Sequence, residues 1–261
     1  MRKETPFALG GALLYEFKMQ VRRKALWITF LVFSLALLNL TFRPWSPESE
    51  GLLVPHLVAN WSLTVQFFHP VAFGILLADR LPRDRRTKVE ELLDTLPASL
   101  GSRLLGKYLG ATLATLVPLL LIYAAGIIYI AVSRGDLSAI PLALASFATI
   151  NLPGLLFVAA FSISCTAVLW VPLYQFLFVG YWFWGNLIPT SPTGGNMMPT
   201  LSHTILTPFG EYMANGFFGT EQATARATVW EGIASMSLLL SLGALALYGS
   251  YRLLVWQRDR R

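Results

Sequence analysis

Residues 78–108 carry the largest group of charged side chains in this 261-residue chain. The stretch holds 7 of the 20 Lys/Arg residues and 5 of the 14 Asp/Glu residues, and long apolar runs lie on both sides of it. A bilayer core does not tolerate that density of charge, whereas a solvated helix does. We therefore predict that the stretch lies in water beside the membrane, where its charges can meet a partner.

Within this stretch, residues 88–97 are predicted to form a short amphipathic helix. Apolar side chains recur at the i, i+3, i+4, i+7 spacing of one helix face, at Val89, Leu92, Leu93 and Leu96. The sequence interleaves three carboxylates with them, Glu90, Glu91 and Asp94, and Pro97 ends the helix. A helix with one apolar face needs a surface to dock against.

The same stretch contains a sequence similar to a nucleotide-binding motif. Residues 101–108, Gly-Ser-Arg-Leu-Leu-Gly-Lys-Tyr, match the phosphate-loop pattern G-x-x-x-x-G-K up to its last position. That position must supply a Ser or Thr hydroxyl for magnesium, and here it is Tyr108. The motif also needs a buried strand before it, whereas a charged helix ending at Pro97 precedes this sequence. We interpret it as a turn that leads into a membrane span.

The other polar residues predict neither a metal site nor an enzyme. His56, His69 and His203 lie in different segments, with no i, i+4 pair and no nearby cysteine. The sequence has no Ser/His/Asp set, paired carboxylate or cofactor loop. We therefore expect no catalytic residue and no cofactor in this chain.

Composition predicts an all-α polytopic membrane protein. The chain is 55% hydrophobic and 13% charged, whereas about a quarter of a soluble domain is charged. Several apolar runs exceed the roughly 18 residues that span a bilayer. The net charge of +6 does not predict a nucleic-acid partner, because the basic residues flank the apolar runs, where topology explains them.

Hydropathy and charge predict six spans with both termini in the cytoplasm. Basic residues flank the first and last apolar runs, so the number of spans is even. We place the spans at residues 25–42, 57–78, 104–132, 140–165, 169–188 and 232–256. The turn between the fourth and fifth spans is set near residues 165–172, within a stretch of 74 uncharged residues. With this topology, 17 of the 20 Lys/Arg residues are cytoplasmic.

Three segments flank or interrupt this six-span domain of residues 25–256. Residues 257–261 form a cytoplasmic tail. Residues 1–24 are basic and place Leu13, Leu14, Phe17 and Val21 at helical spacing, with Glu16 elsewhere. This pattern favours an interfacial helix on an anionic leaflet, with a solvated basic tail as the alternative.

The third segment, residues 189–231, is predicted to lie at the outer surface between the last two spans. It is too short and too polar to cross the membrane, so it fits re-entrant or interfacial helices. We expect its aromatic part to shape the exit of any pathway, with four residues as a candidate outer gate: Phe209, Tyr212, Met213 and Phe217.

The predicted spans contain amides but no charge near their middle. Ion-coupled transporters usually need ionisable groups at membrane depth, so that class is disfavoured. The amides either line a pathway or hold helices together, and the sequence leaves both interpretations open for Asn39, Asn60, Gln66, Asn151 and Gln175.

This organisation resembles the permease subunit of ABC transporters of the six-span ABC-2 exporter class. The resemblance covers most of the chain and is strongest over residues 84–99, Asp-Arg-Arg-Thr-Lys-Val-Glu-Glu-Leu-Leu-Asp-Thr-Leu-Pro-Ala-Ser. This segment resembles the family's charged turn, its hydrophobic-Glu-hydrophobic-Leu motif and its Thr/Ser-x-Pro-hydrophobic-Ser motif. Gly106-Lys107 resembles the family's Gly-Lys at the start of the third span.

The sequence departs from the family pattern at two places. Residues 87–90 read Thr-Lys-Val-Glu where family members often have Gly-Thr-Leu-Glu. The turn between the fourth and fifth spans lacks the usual charges, so a second docking contact is not expected there.

The resemblance implies that residues 88–97 are a coupling helix, which docks on a separate ATPase subunit, and that residues 1–24 are the family's connecting helix. The residues that match the family's coupling segment are Arg85, Arg86, Val89, Glu90, Glu91, Leu92, Leu93, Asp94, Thr95 and Pro97. The complex would contain two ATPase copies, which bind ATP and magnesium, and a second permease chain, identical or different. It would lie in the bacterial plasma (inner) membrane as an exporter. The alternative is a non-transporting membrane anchor of an ABC-type complex.

The basic asymmetry makes the topology testable. In a Cys165→Ser background, single cysteines at Ser99 and Thr193 are expected to react with a membrane-impermeant maleimide from opposite faces of sealed vesicles. The Cys165→Ser parent serves as the unlabelled control. Labelling of both positions from one face would contradict the six-span topology.

Overall fold

The computed structural model describes residues 8–40, 43–86, 99–187, 204–220 and 227–260. These residues form helices and connecting turns, and no β-strand occurs among them. In chain order the α-helices are α1 (Ala8–Val21), α2 (Lys24–Leu40), α3 (Val54–Ala78), α4 (Arg80–Arg86), α5 (Leu100–Arg134), α6 (Ala139–Ser146), α7 (Leu152–Cys165), α8 (Val171–Leu187), α9 (Glu211–Phe218) and α10 (Val229–Asp259).

The chain is a polytopic helical membrane protein. Four helical stretches of the described residues are long and apolar enough to cross a bilayer, namely Val54–Asp84, Leu100–Arg134, Ala139–Cys165 and Val229–Asp259. Helices α2 and α8 overlap the predicted first and fifth spans and have 17 residues each. That length gives about 26 Å, slightly less than a hydrocarbon core of about 30 Å. Six spans therefore stay a prediction.

Helix α3 lies at the centre of the bundle. In its apolar 18-residue window 83% of the residues are buried, against 28% in the corresponding window of α10. Helices α2, α5, α6, α7, α8 and α9 all pack on α3. Because α3 is buried on most sides, its polar side chains, among them Ser62 and Gln66, lie inside the bundle.

One contact between α3 and α5 depends on a glycine. The Trp61 indole is 1% exposed, and its Nε1 donates a hydrogen bond to the carbonyl oxygen of Tyr123 at 3.0 Å. A Cβ atom at Gly126 would overlap this indole ring. Gly126 therefore leaves the space that the largest buried side chain of α3 occupies.

Helices α6 and α7 are joined by a widened turn over residues 147–151. The backbone N–H of Leu152 donates to the carbonyl of Phe147, five residues earlier, which is the pattern of a π-turn. Pro153 follows, and a proline ring inside a helix clashes with the carbonyl four residues before it. The wider turn relieves that clash without ending the span.

The structure brings several charged segments together at one end of the bundle. Ala12 in α1 lies against Gly106 in α5. Ala78, at the end of α3, packs with Val171 after the turn of residues 166–170, and Tyr251 of α10 lies near Gly101. We call this the charged end; it comprises α1, α4, the first turns of α5, the turn 166–170 and the last turns of α10.

At the opposite end, the guanidinium of Arg134 donates to the carbonyl of Ser49. This end also holds the turn closed by Gly135, whose φ of 61° is left-handed. Two of the arginines that the topology places outside, Arg43 and Arg134, therefore flank helix termini at this end.

The contact between Trp61 and Gly126 generates a stability prediction. Gly126→Ala is expected to lower the thermal midpoint of the detergent-solubilised protein, because overpacking a core typically destabilises by about 1–3 kcal/mol. The matched control is Gly180→Ala in α8, where a Cβ atom meets nothing within 4 Å. Removing that glycine from a helix is expected to leave stability unchanged or raised by about 0.5–1 kcal/mol. Equal midpoints for the two variants would contradict this account.

Candidate functional site

Four charged side chains meet at the charged end and form what we call the ion cluster: Glu16, Arg80, Asp84 and Lys107. Arg80 Nη1 lies 3.1 Å from Glu16 Oε1. Lys107 Nζ lies 3.5 Å from Glu16 Oε2 and 2.6 Å from Asp84 Oδ2. The side chains of Glu16 and Arg80 are only 5% and 1% exposed, so this pair is removed from water, whereas Lys107 and Asp84 are 12% and 21% exposed.

Two glycines of α5 position Glu16. Cβ atoms at Gly106 and Gly110 would overlap Ala12, Leu13 or the Cβ of Glu16. The spacing Gly-x-x-x-Gly places both on one face of α5, where the absence of side chains lets another helix approach closely. Because α1 lies directly on this face, its Glu16 carboxylate reaches Lys107 on the neighbouring turn of α5.

The structure buries a polar position of α1. The sequence predicts an apolar face that includes Leu14 and lies on an anionic leaflet, with Glu16 elsewhere. In the structure Leu14 is 56% exposed and Glu16 only 4%, with Gln20 one turn further also buried. The glycine face and the two cations set the rotation of α1, and hydropathy alone does not contain that information.

Burial raises the pKa of Glu16, with the ammonium of Lys107 opposing the rise and the carboxylate of Asp84 adding to it. Burial also lowers the pKa of Arg23, and the charge of Arg83 lowers it further. Positive charge is therefore concentrated around Glu16. Arg80 Nε and Nη2 have no hydrogen-bond partner among the described residues, so its contact with Glu16 is the ion pair that compensates this buried cation.

Most of the predicted coupling residues lie outside the described residues, namely Val89, Glu90, Glu91, Leu92, Leu93, Asp94, Thr95 and Pro97. Arg85 and Arg86 belong to α4. Arg86 Nη2 lies 3.1 Å from Asp79 Oδ1, in a pair that is 67% and 33% exposed. The segment of residues 87–98 thus connects α4 and α5, and each of these helices contributes to the ion cluster.

The four candidate gate residues have different environments at the opposite end, some in the core and some nearer the surface. Met213 is fully buried in a cluster with Ala59, Leu63, Ile150, Ala214 and Leu239. The Phe209 ring packs edge-on against Phe67 of α3, with centroids 5.5 Å apart. Phe217 lies against Gly232, and Tyr212 is half-buried, which raises its pKa. Helix α9 is therefore packed onto α3 and α10.

Three of the five intramembrane amides join different elements of the bundle. Gln66 Nε2 donates to the carbonyl of Pro208 at 2.9 Å. Asn151 Nδ2 donates to the Ser62 carbonyl at 2.9 Å and lies 3.3 Å from Gln66 Oε1. Gln175 joins α8 to α3 through the carbonyl of Ile75, whereas Asn39 bonds within its own helix. For Asn60, the buried Oδ1 has no partner among the described residues.

The histidines and acidic residues form no metal site within the described ranges: no group of three or more His, Cys, Asp or Glu side chains is close enough there to hold an ion. His69 is instead buried between α2 and α3, and its Nε2 lies 3.3 Å from Ser34 Oγ. His203 lies outside the described residues.

Sequence reasoning missed the ion cluster. Glu16 is 64 positions from Arg80 and 91 positions from Lys107 in the sequence. One signal was present: Lys107 falls in the first turns of the predicted third span, where a cation needs a partner. The carboxylate that pairs with it could not be identified from spacing.

No protein-family model and no curated protein matches this chain. A proposal of function therefore depends on the residues and the geometry described above.

The ion cluster makes a prediction about stability. Glu16→Gln is expected to lower the free energy of unfolding by about 3–5 kcal/mol, because it leaves the Arg80 guanidinium buried without a compensating charge. The double variant Glu16→Leu/Arg80→Met is expected to recover most of that loss, since apolar replacement of both partners of a buried pair is often neutral or stabilising. Denaturant unfolding followed by Trp fluorescence measures both effects.

The matched control is Asp79→Asn, which removes the exposed ion pair with Arg86. Exposed pairs contribute about 0–1 kcal/mol, so this variant is expected to unfold like the parent. A Glu16→Gln variant as stable as Asp79→Asn would contradict a role of the buried pair in holding α1.

Proposed function

We propose that this chain is the permease subunit of an ATP-driven ABC transporter of the six-span exporter class. In this proposal it forms half of a translocation pathway, pairs with a second permease chain and binds a separate ATPase subunit, present in two copies. ATP and magnesium bind to the ATPase and not to this chain. The membrane is the bacterial plasma membrane, with the charged end in the cytoplasm.

The observation that carries the proposal is the position of the coupling-like segment. Residues 84–99 resemble the family's coupling motif, and the helices on both sides of them, α4 and α5, are anchored in the ion cluster. A force applied to this segment would act on two helices that are already joined through Asp84 and Lys107. That arrangement suits a docking helix driven from outside the chain.

The mechanism follows from differential contacts between two states. ATP binding would close the two ATPase subunits, and the docked segments would move with them. The two permease chains would then rock against each other and open a path between them toward the opposite end. Such a cycle requires that the ATPase contact each conformation of the permease with a different free energy.

The outward face of α1 supports an interfacial position at the charged end. Leu14 and Tyr15 are 56% and 69% exposed, and the basic Lys18 and Arg22 are exposed as well. Apolar side chains next to cations are typical of helices that lie on an anionic membrane surface. Membrane lipid is therefore a partner in this proposal.

A second candidate is a non-transporting anchor of an ABC-type complex. The hydrogen bonds of Gln66 and Asn151 favour it, because these amides join helices and do not face an open path. An anchor would bind the ATPase without responding to substrate. Stimulation of the ATPase by candidate substrates would therefore separate the two functions.

The coupling segment provides the direct test. Glu90→Ala/Glu91→Ala is expected to reduce the permease-dependent activity of the co-purified ATPase at least about tenfold, because deleting one partner of a desolvated charge pair removes about 2–5 kcal/mol. The matched control is Glu50→Ala, an exposed carboxylate of the opposite end. Unchanged ATPase binding and activity in the double variant would contradict the proposal.

A further inference from the structure

The Glu16 carboxylate of α1 bridges two parts of the charged end, namely α5 and the chain that follows α3. Helix α1 packs chiefly along α5, on the face formed by Gly106 and Gly110. Arg80 follows the last residue of α3 by two positions and reaches Glu16 at 3.1 Å. One carboxylate therefore ties the end of the central helix to the pair of α1 and α5.

We propose that Glu16 is a positioning residue that, through Arg80 and Lys107, transmits movement of α4 to α1 and to the transmembrane bundle. This inference rests on the proposed function, because it names the link inside the chain through which an ATPase would act. Glu16 contacts neither ATP nor substrate in this scheme.

The geometry shows why the link acts on the whole bundle. Helix α5 is one continuous helix of 35 residues, about 52 Å long, and it runs from the ion cluster to Gly135 at the opposite end. Lys107 lies near the start of this helix, in its third turn, so a displacement of the cluster changes the tilt of the entire helix. Arg80 applies the same displacement to α3, on which most other helices pack.

Burial makes the link rigid. An exposed ion pair exchanges partners with water and with dissolved ions, whereas side chains that are 1% and 5% exposed cannot do so without moving α1. Asp84, 21% exposed, completes the link by holding Lys107 at 2.6 Å. All four side chains must therefore move together as α4 moves.

A role in stability alone is the alternative, and a double variant separates the two roles. Glu16→Leu/Arg80→Met replaces the ion pair with apolar packing and is expected to fold, but it contains no charged bridge. If the bridge transmits movement, this variant assembles with the ATPase and still fails to respond to nucleotide. If Glu16 only stabilises the fold, restored folding restores the response.

The experiment uses the full chain co-purified with its ATPase in lipid nanodiscs, in a Cys165→Ser background. An environment-sensitive fluorophore is attached to Leu53→Cys at the opposite end, where the native side chain is 65% exposed. The probe added is MgATP with vanadate, which traps the closed ATPase. The readout is the nucleotide-dependent fluorescence change, measured beside ATPase activity.

For the parent and for the Asp79→Asn control, a clear fluorescence change is expected. In Glu16→Gln and in Glu16→Leu/Arg80→Met, the amplitude of this fluorescence change is expected to be at least about tenfold smaller than in the parent. Both variants are expected to retain ATPase binding. Glu16→Asp keeps the charge and is expected to retain part of the response. If Glu16→Gln does not assemble, the double variant and Glu16→Asp still decide the outcome.

Two results would overturn the inference while leaving the proposed function intact. One is a parental response in Glu16→Gln, and the other is a parental response in the double variant. If the parent chain itself bound no ATPase or gave no response, the proposed function would fail and the inference with it. The two failures are therefore distinguishable.

Discussion

The absence of hydrogen-bond partners in lipid is the constraint on which this structure depends. Every polar group that the chain carries into the membrane must be paired within the protein. Helix α3, buried on most sides, meets this requirement at several polar side chains, whereas Asn60 Oδ1 has no partner among the described residues. The hydroxyl of Ser62 lies 3.0 Å from that of Tyr123, and the Gln66 amide reaches the carbonyl of Pro208. Each such pair joins a neighbouring element to α3, and apolar side chains pack around these contacts.

The two ends of the bundle are held together by different kinds of contact. The charged end brings α1 close to α5 through a glycine face and buries a carboxylate between two cations. The opposite end closes with turns and with α9, whose Met213 enters the core. Ion pairs therefore join the elements at the charged end, and apolar contacts predominate at the end where the described residues carry fewer charges. This asymmetry is compatible with a protein driven from one side.

Long periodic features could be predicted from the sequence, and features set by distant residues could not. Apolar runs and prolines indicate the helical class, and the turn placed near residues 165–172 contains the break between α7 and α8. Three features could not be predicted because each depends on tertiary contact: the rotation of α1, the ion cluster and the packing of Met213. The sequence placed Glu16 outside the apolar face of α1, but the contact of α1 with Gly106 and Gly110 buries it. The proposed coupling segment beyond Arg86 stays a prediction.

The π-turn between α6 and α7 has a consequence for how substitutions in this span should be interpreted. A π-turn contains one residue more than the α-helical turn it replaces, and one residue rotates a helix by about 100°. The faces of α6 and α7 are therefore out of phase, although hydropathy shows a single continuous run. Asn151, the last residue of the π-turn, points at α3 and donates to the Ser62 carbonyl. Removing one residue between positions 147 and 151 would leave the hydropathy profile intact and turn every side chain of one half toward a different neighbour.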